Sequence, residues 1–217
     1  MYTLDTQSAR KADTTGNTIK ELGKYVGSFV QAKDVTTKKG GKGIELVFKN
    51  DAGQKANLAI YTTSAAGEHY QGYDTLMAIM TCMQLRGIKP APGKVTKWDY
   101  DNKKEVQEDG TLFPDLHKPI GVLLETEDYE KQDGSTGTRM VLKNVFQAST
   151  ELTASEILDK KTTPVALAKM VEGLRHRPLK GARTNAAPRG DDGAGGPPAG
   201  HPASSGFDGG DDDIPWN

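Results

Sequence analysis

Basic side chains collect at three places in the sequence. The first is the glycine-rich stretch TTKKGGKG, with Lys38, Lys39 and Lys42. The second surrounds Trp98 and Tyr100 and comprises Lys94, Lys97, Lys103 and Lys104. The third comprises Lys169, Arg175, Arg177, Lys180 and Arg183. Ammonium groups neutralise phosphates, and aromatic rings stack on unpaired bases, so lysines mixed with aromatic residues predict a surface for single-stranded nucleic acid.

The candidate residues of this surface lie in the first turn, on the strands beside it and around Trp98. They are Lys33, Lys38, Lys39, Lys42, Tyr61, Lys97, Trp98 and Tyr100. Two alternatives stay open. Lysines in turns also serve solubility alone, and Trp98 and Tyr100, two residues apart on one face of a strand, would equally suit a core pair.

The last 36 residues differ in composition from the rest. Residues 182–217 hold eight Gly, five Pro and six Asp and carry a net charge of −4, whereas the preceding residues carry +3. The stretch from Gly190 to Asn217 has only Phe207, Ile214 and Trp216 as large apolar side chains. Their burial cannot offset the entropy lost on ordering the chain, which predicts a disordered linker. The end, DDDIPWN, keeps a tryptophan and an isoleucine in polar surroundings, which is typical of a segment that docks on a partner protein. The predicted interaction tip is Asp211, Asp212, Asp213, Ile214, Pro215 and Trp216.

Motifs for enzymatic and metal chemistry are missing from the sequence. It contains no GxSxG, Walker or GxGxxG motif, and its four histidines stand in no metal-ligand spacing. The single cysteine, Cys82, excludes an internal disulfide and is predicted to be a small buried hydrophobe. Glu125, Glu127 and Asp128 are predicted to form a solvated strand edge rather than paired catalytic carboxylates. We therefore expect no enzymatic activity, no cofactor and no metal.

No apolar run has the length of a membrane span, and the N-terminus has no apolar signal-peptide stretch. The sequence thus predicts a cytoplasmic protein without a membrane partner.

Hydrophobic periodicity predicts a meander of three antiparallel strands, with the first basic group in the turn between the first two strands. Polar and apolar residues alternate over 24–37, which predicts a strand with Val26, Val30 and Ala32 on one face. Tyr25 and Phe29 lie on the opposite face, and two roles stay open for them: to line a groove or to join a second core layer. The next two strands, IELVFK and KANLAIYT, turn apolar side chains inward. These are Ile44, Leu46 and Phe48, then Ala56, Leu58 and Ile60.

A helix is predicted over residues 70–86, with Gly87 as its stop. Its apolar face consists of Leu76, Ile79, Met80 and Met83. A polar hairpin follows, then the longer strands PIGVLLETEDYEK and TRMVLKNVFQA, and finally two helical segments, one capped at Thr153–Glu156 and one after Pro164. Antiparallel strands around one helix predict a mainly β fold with helices, closed as a small barrel. The predicted boundaries are a flexible N-terminus over 1–18, a domain over 19–181 and the tail over 182–217.

The tip DDDIPW resembles the acidic tip of bacterial and bacteriophage single-stranded-DNA-binding proteins, which typically end in Asp-Asp-Asp-Ile-Pro-Phe. Over roughly residues 23–180, the body is similar to the phage-encoded branch of these proteins in YVGSFVQAKDVTTKKGGKGIELVF, PIGVLLETEDYEK and ELTASEILDKK. The resemblance implies an OB-like (oligonucleotide-binding) antiparallel β-barrel with a helix between strands 3 and 4, C-terminal helical segments and a disordered acidic tail. Two positions depart from the family pattern: Trp216 replaces phenylalanine, and Asn217 follows it, so the terminal carboxylate no longer belongs to the aromatic residue.

The resemblance further implies a protein that coats and protects single-stranded DNA in phage replication or recombination, inside the infected bacterial cell. Its tip would recruit replication, recombination or repair proteins. Two other hypotheses stay open: an adaptor whose acidic tail is the only functional element, and an enzyme such as a nuclease with unrecognised acidic ligands. The sequence leaves undecided whether the chain forms a homo-oligomer and whether it prefers DNA or RNA.

Overall fold

A computed structural model of the chain describes residue 6 and residues 17–99, 104–131 and 133–179, with only the backbone of residues 98 and 99. The strands of this part are β1 (Gly23–Thr36), β2 (Lys42–Asn50), β3 (Lys55–Thr63), β4 (Ala91–Asp99), β5 (Lys104–Leu112), β6 (Pro119–Glu130) and β7 (Thr136–Phe146). The helices that connect or follow these strands are α1 (Gln71–Cys82), α2 (Ala154–Leu158) and α3 (Ala166–Glu172). Tyr100, Lys103, residues 182–217 and most of residues 1–18 lie outside the described residues.

The long strand β1 joins three antiparallel hairpins into one seven-stranded sheet. One edge of β1 pairs with β2 from Gly27 to Thr36. The other edge is shared, because β6 pairs with residues 23–28 and β5 pairs at Lys33. The sheet is open, since no described ladder joins β3 to β7. The predicted mainly β fold, with a helix between strands 3 and 4, is confirmed at this level.

A β-bulge in β1 makes the predicted facing of this strand wrong. The register against β2 shifts between Phe29 and Gln31, so residues on either side of the bulge differ in phase. Phe29 and Ala32, three residues apart, therefore both lie in the core, at 1% and 0% exposure. Val30, which was predicted to share a face with Ala32, is 44% exposed.

The core between the meander and α1 follows the predicted pattern. All six predicted inward residues of β2 and β3 are buried, and Phe29 packs edge-on against Phe48 with ring centroids 6.0 Å apart. From α1 and its end, Leu76, Ile79 and Met83 are buried, whereas Met80 is half-buried against the same core. The helix ends at Cys82 rather than near Arg86, because Gln84 turns the chain with a φ of +54°. Cys82 is buried as predicted, and burial raises the pKa of its thiol to about 12, so the thiol is unreactive at neutral pH.

The two C-terminal helices pack on different clusters: Ala154 and Ile157 of α2 lie against the main core, whereas α3 packs on residues of β1, β6 and β7 outside it. Leu167 of α3 joins Leu123 and Phe146 in a second apolar cluster, against which Val26 also packs. The predicted capping box is present at α2, where Thr153 and Glu156 exchange hydrogen bonds. Glu156 also accepts the backbone N–H groups of Val165 and Ala166 at 2.7 and 2.9 Å. The N–H of Thr153, and then those of Val165 and Ala166, lower the pKa of Glu156 to about 2. The bonds from Val165 and Ala166 also tie α3 to α2.

Candidate nucleic-acid interface

A small cleft lies where the β1–β2 loop, the end of β3 and the start of α1 meet. Its lining residues are Thr37, Lys39, Gly41, Tyr61, Thr63, Ala65 and Tyr70. Two of the predicted residues, Lys39 and Tyr61, are thus brought together although they are far apart in the chain. The wall also contains Tyr70, which the sequence analysis did not single out.

The β1–β2 loop is built to present its lysines. The Thr37 side chain accepts the N–H of Gly41 at 2.9 Å, and Gly40 takes a φ of +85°, which suits glycine far better than other residues. This tight turn leaves Lys38 and Lys39 exposed at its tip, with exposed Lys42 at the start of β2. Within the described residues, Lys38 and Lys42 have no acidic partner within ion-pair distance. The two ammonium groups are therefore available to an anionic ligand.

The two tyrosines of the cleft are held by backbone contacts. Tyr70 donates its N–H to the carbonyl oxygen of Thr62 at 2.9 Å, and its side chain is 44% exposed. Gly72, in the first turn of α1, lies so close to Tyr61 that an added Cβ would sit 2.1 Å from the Tyr61 carbonyl oxygen. The Tyr61 ring lies beside Gly43, its partner across β2 and β3. Gly72 therefore allows α1 to approach β3 closely, and Gly43 leaves room for the Tyr61 ring against β2.

A further ring pair adjoins Tyr70 along the chain. His69 stacks on Tyr73 with ring centroids 3.8 Å apart and an interplanar angle of 15°. The two residues before Gln71 and the first turn of α1 thus supply three ring-bearing residues within five positions. Tyr70 directly precedes α1 and has an extended backbone (φ −90°, ψ 165°), so the helical period does not place its side chain, and nothing local shows that it meets β3.

Lys33 was predicted to bind nucleic acid, but its ammonium group is already paired. It lies 3.3 Å from Glu108 of β5 and 3.9 Å from Glu45 of β2. The side chain of Gln31 holds the same hairpin to β1, donating to the carbonyl oxygen of Thr96 and accepting its N–H. These contacts make Lys33 part of the junction between β1 and the β4–β5 hairpin, so the structure does not add it to the cleft.

The remaining predicted aromatic site is only partly described. Lys97 is exposed on β4, opposite Val106, and its hairpin packs mainly on β1 rather than at the cleft. Trp98 lies opposite Glu105 in the same ladder, but its side chain lies outside the described residues, as does all of Tyr100. The choice between base stacking and a core pair for these two residues stays open.

The acidic cluster on β6 is not the solvated edge that the sequence predicted. Glu125 is 1% exposed, and Arg177 donates to its Oε2 through Nε at 2.7 Å and lies 2.6 Å away through Nη2. Glu127 is paired with Arg139 at 2.7 Å. Glu127 is thus paired within the β6–β7 hairpin. Glu125 is instead covered by residues 175–179 of the C-terminal segment, which lie against β6.

This segment, which we call the C-terminal arm (residues 175–179), extends the edge of β6 beyond the end of β1. Arg177 exchanges backbone hydrogen bonds with Thr126 and Asp128, at 2.8 and 2.9 Å. The two ring nitrogens of His176 lie 2.9 Å from the Thr126 hydroxyl and 3.0 Å from the Asp128 carboxylate. Hydrogen bonds from Thr138, and then from His176, lower the pKa of Asp128. The side chains of His176 and Arg177 thus hold the arm to the sheet.

Two structural findings concern other classes of site. No group of three or more His, Cys, Asp or Glu residues in the described ranges is arranged to hold a metal ion. In the same part of the chain, every helix is too short or too polar to span a bilayer.

No protein-family model matches this chain, and no curated protein matches it in sequence. The relationship to single-stranded-DNA-binding proteins therefore stays a prediction from the residues quoted above.

Proposed function

We propose that this chain is a non-catalytic single-stranded-DNA-binding protein whose first contact with the strand is the cleft at the β1–β2 loop. The observation that carries the proposal is the convergence of Lys39, Tyr61 and Tyr70, from three separate elements, on that cleft. Lys38 and Lys42, beside lining residues of the cleft in the chain, add two ammonium groups that have no acidic partner among the described residues. Phosphates would bind the lysines while a base stacks on a tyrosine ring, which needs no base-edge contact and gives little sequence preference.

An OB-like barrel is the finer architecture that we propose for the sheet. Its support is the β1–β2–β3 meander, the helix between β3 and β4, and a bent β1 that pairs with two strands on its second edge. In addition, α1 packs on both β3 and β7, and these two strands also lie against each other. Barrels of this class bind oligonucleotides on the face of strands 2 and 3 and on the loop between strands 1 and 2. The cleft lies at the corresponding loop.

In the cell, such a protein would coat and protect single-stranded DNA during phage replication or recombination, in the cytoplasm of the infected bacterium. The tip from Asp211 to Trp216 would recruit replication, recombination or repair proteins, with Trp216 in an apolar pocket and the aspartates at its basic rim. The support for this part is the sequence of the tip alone.

The decisive experiment compares two charge-matched variants of the full chain in oligo(dT) titrations at several salt concentrations. Replacing Lys38, Lys39 and Lys42 together with alanine should lower affinity and make the slope of log K against log salt shallower by about 2, since each phosphate contact contributes about 0.7. The control replaces Lys131, Lys160 and Lys161, which are exposed in other connections. It should leave the slope unchanged, and both variants should keep the parent melting temperature.

Equal behaviour of the two variants, or an affinity that is independent of salt, would contradict the proposal. Absence of oligonucleotide binding would favour the adaptor hypothesis instead. Cleavage of the strand in Mg²⁺ that stops in EDTA would show that the protein is a nuclease.

A further inference from the structure

We infer that Lys49 and Lys55 form a second phosphate-binding subsite at the far end of the β2–β3 face, so that a bound strand runs along the whole hairpin. The inference rests on the proposed function, because it takes single-stranded DNA as the ligand. Neither lysine was among the residues predicted from the sequence.

The strand register places both lysines on the same face as Tyr61. Residues directly opposite in β2 and β3 are Gly43 and Tyr61, then Glu45 and Ala59, Val47 and Asn57, and finally Lys49 and Lys55. The ladder has no bulge from Gly43 onward, so every second residue keeps to one side. The other side is the buried core face with Leu46 and Leu58. The cleft and the lysine pair therefore mark the two ends of one outward face.

The lysine pair is electrostatically unfavourable without a ligand. Lys49 and Lys55 are exposed and directly opposite each other, and neither has an acidic partner within ion-pair distance among the described residues. Like charges at opposed positions in a ladder destabilise the pair. A phosphate between the two ammonium groups would remove this repulsion and gain two charge-assisted contacts.

The surface between the two ends offers little repulsion to a polyanion. It presents the small or neutral side chains of Val47, Asn57 and Ala59. The one carboxylate of this stretch, Glu45, lies 3.9 Å from the ammonium group of Lys33. From Gly43 to Lys49 the strand rises about 20 Å at about 3.3 Å per residue. Single barrels of this class have sites of about 4–16 nucleotides, so an extended strand can contact both ends at once.

The test uses the full chain with Lys49→Ala and Lys55→Ala combined, and the charge-matched control Lys160→Ala with Lys161→Ala. In oligo(dT) titrations, the first variant should bind severalfold more weakly at low salt, with a salt slope shallower by about 1.4, which corresponds to two lost phosphate contacts. Its melting temperature should equal or exceed that of the parent, because a like-charge pair has been removed. Lys49→Arg with Lys55→Arg should restore the parent slope, since the two charges are kept.

The outcomes separate this inference from the proposed function. If the loop variant at Lys38, Lys39 and Lys42 loses affinity while the Lys49/Lys55 variant behaves like its control, the second subsite is wrong and the proposed function stands. If the parent chain does not bind oligo(dT), both are wrong. A loss of affinity and slope in both variants, with no loss in the controls, supports both.

Discussion

The β1–β2 loop and the C-terminal arm are both basic in the sequence, but the structure uses their charges in opposite ways. In the arm, Arg177 forms an ion pair with the buried Glu125, and His176 lies within hydrogen-bond distance of Thr126 and Asp128. In the loop, Lys38 and Lys42 point to solvent without an acidic partner among the described residues. The arm therefore stabilises the fold, whereas the loop is left to bind something else. Counting basic residues in a segment does not distinguish these two roles.

The contrast also explains why the loop lysines can stay without an ion-pair partner at little cost in stability. An exposed lysine keeps its hydration, so leaving it unpaired costs little, and a surface ion pair would contribute only about 0–1 kcal/mol. A buried carboxylate such as Glu125 has lost its water and needs a partner. Burial, more than charge, decides which basic residues become structural.

The largest effect is expected from removing the arginine of the arm. Arg177→Ala leaves the carboxylate of Glu125 buried without its partner, and we expect the free energy of unfolding to fall by about 3 kcal/mol, the lower end for such losses because Arg177 is partly exposed. Urea denaturation measures this loss. Oligo(dT) affinity measured well below the melting temperature should not change.

The neighbouring Arg175 supplies the control, since it is exposed and has no ion-pair partner among the described residues. Arg175→Ala should change stability by about 0.5 kcal/mol or less. Combining Arg177→Met with Glu125→Leu removes both charges and should recover most of the loss. If Arg177→Ala instead lowers DNA affinity at full stability, the comparison between arm and loop fails.

An intermediate effect is expected at the cleft. Tyr70→Ala should weaken oligo(dT) binding by about 2 kcal/mol, because stacking on one ring contributes about 1–3 kcal/mol. Tyr70→Phe keeps the ring and should bind like the parent. Quenching of intrinsic fluorescence on titration reports both affinities. Equal losses in the two variants would show that the hydroxyl rather than the ring contacts the strand.

The smallest effect is expected at the lysine that is already paired. Lys33→Ala removes a charge held by Glu45 and Glu108, so we expect oligo(dT) affinity to change by about twofold or less, in line with the weak contribution of surface ion pairs. The same titration series provides the measurement. A salt slope as shallow as that of a loop-lysine variant would show that Lys33 leaves its carboxylates when the strand binds.

The fold was predictable where neighbours along the chain decide it. Strict alternation identified the buried residues of β2 and β3, and the Thr153–Glu156 spacing identified the cap of α2. Prediction failed in β1, because the bulge after Phe29 arises from pairing with β2 and changes the phase of every following residue. It failed again on β6, where Glu125 looks like a solvated acid until the arm covers it.

For the candidate site, the sequence by itself determined the residue types: a glycine-rich turn with three lysines, a tyrosine on the outer face of β3, and an acidic tail of opposite charge to the body. It could not determine which of these residues meet. Tertiary structure alone brought Tyr70 to the cleft, paired Lys33 with two carboxylates and paired Arg177 with Glu125, 52 positions away. The physical reason is the distance along the chain over which each interaction acts. Turn geometry and side-chain alternation depend on adjacent residues, whereas the burial of a charge and the partners around it depend on segments that only folding brings together.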